Sequence, residues 1–336
     1  MSFLSGEITF SPKRPVFTSI LANTRLSKVP GISGAGPSPE KTVFTPILDA
    51  ELIAQGAITS MPTLPDTPTG CPTPAVITLA MMRLTGLSPL FINAGLEHTP
   101  TIPTYDLYGR PGGDPRTEDA VVNAEALFER GKAIGSFLSS LADMLVIGEC
   151  VPGGTTTALC VLRGLGYSAR VSSSFIKNPH SRKEEIADVV VGRVENAGLT
   201  APLDIVRAAG DPMMPAAAGM IAGFSGEIVL AGGTQMLAVA AVVKGLGLRL
   251  PGIATTVYIK NDGSANFAET AHAIGISTVY VDPNFGAFNH AGLARYCIGE
   301  VKEGMGAGGA MYLAAAMGYA PLEIKEAVLK TVSTYS

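Results

Sequence analysis

A chain of 336 residues, 47% hydrophobic and only 15% charged, with a net charge of −4, is long enough for one large α/β domain with or without a small satellite. The lack of any long basic run disfavours a nucleic-acid surface, and the apolar excess calls for strands buried on both faces, a large subunit interface, or both. The two stretches that compete as membrane spans, 228–243 and 304–321, carry GGTQ and a Gly/Ala-rich run, so each reads as a buried strand–turn–helix or helix.

The N-terminus, MSFLSGEITFSPKRPVF, lacks the uninterrupted apolar core of a signal peptide. The cysteines, Cys71, Cys150, Cys160 and Cys297, show no CxxC or zinc spacing. Reduced thiols in a cytoplasmic protein are the expectation. Residues 1–85 are rich in Pro, Thr and Gly and read as an irregular or helical segment, packing with the C-terminus as a small subdomain. From 86 to 300, short β-branched runs alternate with helical stretches. Strands are expected at 88–96, 143–149, 168–175, 226–233, 252–259 and 277–283, and the clearest helices are AEALFERGKAIGSFLSSLADM and RKEEIADVVVGRVENA. Residues 301–336 read as C-terminal helices. This alternation predicts a three-layer α/β/α fold with a mostly parallel, Rossmann-like sheet. Ligands of such sheets bind beyond the carboxyl ends of the strands, and the loops there carry the chemistry.

In GECVPGGTTTA, Gly153 and Gly154 allow close backbone approach, while Thr155 and Thr156 open a helix whose N-terminus favours an anion. The loop is neither Walker A nor GxGxxG. Glu149 at its mouth could accept a ribose hydroxyl or a backbone N–H, or orient a second substrate; a solvated or helix-N-terminal carboxylate is the plain alternative. The Ser172–Ser174 run falls along the same sheet edge, and Lys177 and Lys183, which follow it in FIKNPHSRKEE, could reach a phosphate; exposed lysines are the plainer alternative. Lys260, Asn261, Asp262 and Ser264 fit either sugar hydroxyls or an Asx turn. Glu303 heads a Gly/Ala-rich helix and reads equally as a desolvated general base or as a helix N-terminal acid. The four histidines are scattered, so no metal site is expected.

Taken in order, GECVPGGTTTA, AAGDPMMPAAAGMIAG, VLAGGTQMLAVAA and KEGMGAGGA resemble the nicotinate-nucleotide–dimethylbenzimidazole phosphoribosyltransferase superfamily, and more closely a divergent archaeal and cyanobacterial branch of it. The resemblance covers about half the chain, from Glu149 to Ala310. It implies Glu303 as catalytic base; Glu149, Gly153, Gly154, Thr155, Thr156, Lys183, Ser173, Asn261, Asp262 and Ser264 around phosphate and ribose; and Gly233, Thr234 and Gln235 near the base. It implies nicotinate mononucleotide and an aromatic N-heterocyclic base as substrates, a homodimer, and neither cofactor nor metal. A non-catalytic nucleotide-binding protein on the same fold is the alternative. An enzyme of another kind on this scaffold would show Mg²⁺ dependence. Two departures stand out: a Gly-Arg-Gly of the family is VSSSF here, and the glutamate of KEGMGAGGA has Lys302 and Met305 as unfamiliar neighbours.

Overall fold

A computed structural model describes residues 2–36 and 38–335. Seven strands form one sheet: β1 Pro15–Ala22, β2 Leu90–Gly95, β3 Tyr105–Asp106, β4 Met144–Cys150, β5 Glu227–Ala231, β6 Gly252–Thr256 and β7 Thr278–Val281. All pairs are parallel, in the order β3-β2-β1-β4-β5-β6-β7. Side chains alternate across each strand. Ile20, Ile147 and Leu230 therefore enter one core beneath helices Ala124–Ser139, Gly154–Gly164, His180–Asn196, Met213–Gly223 and Thr234–Gly245. Phe17, Val146 and Val229 enter the other, covered by helices Thr45–Gln55, Pro74–Thr85, Ala307–Ala316 and Pro321–Val332. The expected three-layer α/β/α arrangement is the observed one.

Two local expectations are corrected. Residues 15–22, placed in the irregular N-terminal segment, form β1, hydrogen-bonded to β2 on one side and β4 on the other. Its polar Thr18 and Ser19 are buried within the sheet, with the Thr18 hydroxyl donating to the carbonyl of Val146 at 3.1 Å. Conversely, 168–175 is not a strand; its backbone is held by side chains of other loops instead of a ladder.

Helices Ala124–Ser139 and Met213–Gly223 cross at backbone contact. Gly131 and Gly135 face the carbonyls of Ala216 and Met220, while Gly219 and Gly223 face those of Phe128 and Lys132. A Cβ at any of the four would overlap the opposing backbone. Strand order reverses between β1 and β4, so the crevice above these two strands is the topological switch point where such sheets bind ligands.

Candidate functional site

The end of β4 and the turn after it begin the site. Alternation points Glu149 toward helix Thr234–Gly245, where Gln235 Nε2 donates to its Oε2 and the Val151 N–H donates to the same oxygen at 3.0 Å. Oε1 makes no hydrogen bond among the described residues. Glu149 is only 7% exposed. Burial pushes its pKa up to about 8, the nearby charges of Asp211 and Glu303 add to this, and the Val151 and Gln235 donors oppose it. At neutral pH this carboxyl is therefore protonated. A neutral acid beside an anion loop is not repulsive, and its O–H is a donor.

Gly153 adopts a left-handed conformation (φ 82°) and starts helix Gly154–Gly164. Gly154 packs against Gln235, whose Cδ lies 2.6 Å from where a Cβ would sit. On the first turn, Thr155 Oγ1 accepts from Lys183 Nζ at 2.7 Å. Thr156 Oγ1 is buried without a partner among the described residues. The Thr157 hydroxyl lies 2.6 Å from Asp211 Oδ2, whose pKa burial pushes up to about 6.

Lys183 is fully buried (0% exposed), not the surface lysine of the plainer reading. Burial pushes it down to about 7, Lys302 adds to this, and Asp262 opposes it. An ammonium has three donors, and Thr155 engages one. Two donors of the ammonium are left without a partner among the described residues, next to the N-terminus of a helix, an end that favours negative charge. Binding of sulfate, a dianion that does not itself titrate near neutrality, is expected to take up a proton at Lys183, because the bound dianion raises the lysine above its free value. Affinity should fall as pH rises through about 7, by up to tenfold per pH unit until the complexed lysine itself titrates. Calorimetry in buffers of different ionisation heat checks the uptake, and Lys183→Met should abolish it.

Glu303 stands across the Gly232–Gly233 turn. Its Oε1 accepts the N–H groups of Thr256 (3.1 Å) and Gly308 (2.9 Å), with the Thr255 hydroxyl at 3.4 Å, and its Oε2 accepts only the Gly304 N–H (3.0 Å). Burial pushes its pKa up to about 7 against these donors. Gly308 and Gly309 have no room for a side chain against Thr255, Ala231 and the Glu303 carboxylate itself, so helix Ala307–Ala316 lies directly on β5 and β6. The Met305 N–H donates to the Glu149 carbonyl at 3.1 Å, tying the Glu303 loop to the end of β4. A Cβ at Gly233 would lie 3.8 Å from Glu303 Cβ, and one at Gly232 would lie 3.8 Å from Glu149 Oε1. The two carboxyls thus flank one glycine pair.

The remaining expected residues divide. Asp262 Oδ2 accepts from Ser172 Oγ (2.5 Å) and Asn178 Nδ2 (2.7 Å), and Oδ1 accepts from Ser264 Oγ (2.7 Å). Burial alone would raise its pKa, but these donors and Lys302 outweigh it and hold the carboxylate well below its usual range. Ser173 Oγ donates to Asn178 Oδ1 at 2.6 Å. Asp262, Ser264 and Ser173 are therefore joined through Asn178 in one hydrogen-bonded cluster, whose Asp262 acts on Lys183. Asn261 is exposed and its side chain makes no hydrogen bond among the described residues. Thr234 and Gln235 are buried, with Gln235 engaged by Glu149. Sequence reasoning missed Asp211, Lys302 and Asp49. Asp49 is buried with Thr73 Oγ1 at 3.1 Å and Cys150 Sγ at 3.9 Å, its pKa pushed up by burial to about 7. For Asp49 and Asp211 the available signal was an acid set among apolar residues, as in ILDAEL and GDPMMP.

An all-parallel sheet with helices on both faces, and a glycine–threonine turn and buried carboxyls at its switch point, defines a Rossmann-like α/β protein. The same fold is seen in the crystal structure of nicotinate-nucleotide-dimethylbenzimidazole phosphoribosyltransferase from Thermus thermophilus, at TM-score 0.61 and 17% identity, over 96% of this chain and 84% of that one. A second structure, of CobT from the same organism, aligns at TM-score 0.60 and 17% identity, over 95% and 84%. No family model matches the sequence. UPF0284 proteins of Methanosarcina mazei (45% identical, 95% of this chain and 94% of the relative) and Methanothermobacter thermautotrophicus (42%, 95% and 92%) match nearly end to end, and the chain belongs to the UPF0284 family. The expected divergent archaeal branch of the phosphoribosyltransferase fold is what these similarities describe. Among the described residues no helix is long and apolar enough to cross a membrane.

Proposed function

We propose that this protein is a cytoplasmic, homodimeric phosphoribosyltransferase that moves ribose 5-phosphate from nicotinate mononucleotide to a benzimidazole or purine base, giving an α-riboside phosphate. The observation that supports the reading is the pair of buried carboxyls, Glu149 and Glu303, flanking one glycine pair, at the end of the strand that leads into the Gly154–Gly164 helix, where Lys183 meets Thr155. In this reaction the acceptor nitrogen forms a bond to ribose C1 as the C1–N bond to nicotinate breaks. The bonding pair leaves with the pyridine nitrogen, which loses its positive charge. The acceptor N–H proton passes to the free lone pairs of Glu303 Oε2. The leaving group starts as a cation, so the enzyme's main work is to hold donor and acceptor in line. Lys183, the Thr156 hydroxyl and the first turn of helix Gly154–Gly164 anchor the 5′-phosphate, and the protonated Glu149 donates to a ribose hydroxyl.

A second reading has one observation in its favour: Glu303 accepts three backbone N–H groups, as a purely structural loop cap would. A nucleotide-binding protein without turnover would use it that way. Product analysis decides between the two. Nicotinate mononucleotide is mixed with a panel of benzimidazoles and purines, and released nicotinate and α-riboside phosphate are measured. Transfer with at least one base supports the enzyme. Mononucleotide binding without transfer from any base supports the binding protein.

A further inference from the structure

Lys302 is 4% exposed, and the reaction as described does not use it. All its donors are consumed: Nζ donates to the carbonyls of Ser173 (2.7 Å) and Phe175 (2.9 Å) and lies 3.4 Å from Asp262 Oδ2. Lys183 keeps two donors for a ligand; Lys302 keeps none. Its own backbone is also fixed, since Thr256 Oγ1 donates to its carbonyl at 2.6 Å while the Thr256 N–H donates to Glu303.

The loop that Lys302 grips is not self-supporting. Segment 171–178 has no ladder partner and no guanidinium of its own; its closure depends on Asn178, which accepts from Ser173 and donates to Asp262 and Ser264. After Pro179 the chain enters helix His180–Asn196, whose first turns carry Lys183. A continuous set of contacts thus runs from Thr155 to Lys183, through the helix start to Asn178, Ser173 and Phe175, and by one ammonium to the residue beside Glu303. The hydrogen bonds along it are 3.0 Å or shorter and buried or part-buried, and carbonyls held by a cation make stronger hydrogen bonds than neutral pairs.

We propose that Lys302 is a positioning residue that couples the phosphate site to the catalytic loop, so that occupation of the Lys183 site orders residues 301–306 and seats Glu303. This rests on the phosphoribosyltransferase reading of the site, but coupling can be read without turnover. Hydrogen exchange is followed with and without inorganic phosphate in wild type, Lys302→Met and Lys302→Arg. In wild type, phosphate slows exchange at 154–157, 172–178 and 301–306 together. In Lys302→Met the protection at 301–306 is lost while that at 154–157 remains, and Lys302→Arg, which keeps a cation and its donors, restores the joint response. Protection of 301–306 in Lys302→Met equal to wild type overturns the coupling, as does wild-type protection confined to 154–157. No protection anywhere in wild type removes the phosphate site, and the coupling with it. In turnover, the kcat advantage of nicotinate mononucleotide over nicotinate riboside should shrink at least tenfold in Lys302→Met. A merely structural lysine would lower both rates by the same factor, and that result also counts against the coupling.

Discussion

Replacing Glu303 with Gln is expected to leave nicotinate mononucleotide bound and to slow transfer by about 10²–10⁴-fold, the usual worth of a positioned general base. The amide is nearly isosteric. Its oxygen can keep the N–H groups of Thr256 and Gly308 that the carboxylate Oε1 now accepts, but its NH2 cannot accept the Gly304 N–H, so the fold should survive with a Tm lowered by a few degrees. What is lost is the basic lone pair on Oε2. The pH dependence gives an independent check. Burial holds the Glu303 pKa at about 7, so below this pH the group is protonated and cannot accept a proton, and the rate should climb as pH rises toward 7. Lys183, also at about 7 but charged below it, acts in the opposite sense, because its phosphate affinity fades above that pH. The product is a bell in kcat/KM centred near neutrality. In Glu303→Gln the acidic limb should disappear and the alkaline limb remain. An unchanged acidic limb, or near wild-type transfer, assigns Glu303 to loop capping alone.

The largest expected effect on stability lies away from the site. Gly219→Ala is expected to lower the unfolding free energy by about 3 kcal/mol or more, with a fall in Tm of roughly 5–10 °C. A methyl group at 219 would overlap the Phe128 carbonyl and press on the Lys132 amide, 2.9 Å away. Both are helical backbone, which cannot yield as a flexible side chain can. The two helices would have to separate along their whole crossing, opening the core around Leu127 and Met220, both buried. Gly192→Ala is the control: nothing lies within 4 Å of a Cβ there, and its helix interior position should gain slightly. A loss at 192 equal to that at 219 would rule out close approach as the cause.

Much of the fold was legible because buried parallel strands leave continuous apolar runs. DMLVIGE and GEIVLAGG each bury nearly every residue of the strand they form. The run PVFTSILA was not, since its Thr18 and Ser19 read as polar exposure and are instead inside the sheet. The stretch SARVSSSF has the residues of a strand, but Asp262 and Lys302 capture its backbone and hydroxyls from elsewhere. The site shows the same divide. Glu149, the glycine–threonine turn and Glu303 announce themselves by local pattern, because a turn and a helix start are local structures. Lys302 does not: its partner Ser173 is 129 residues away. Asp211 reaches Thr157 across 54 residues. The protonated state of Glu149 was equally hidden, because it comes from packing and from charges brought near by the fold.

β1 has a consequence for how the molecule is made. It precedes both of its neighbours in the chain and lies in the interior of the sheet, between β2 and β4, so it leaves the ribosome before either. At about 5–20 residues per second, the nascent chain must carry Phe17, Ile20 and Leu21 unpaired until Leu90 emerges, and one edge stays open for several seconds more until Met144 follows. The protein is therefore born with its central hydrogen-bonding template exposed and no flanking strand to cover it. In the cell, holdase chaperones that shield such edges should bind short ribosome-tethered nascent chains and release them once β4 is out.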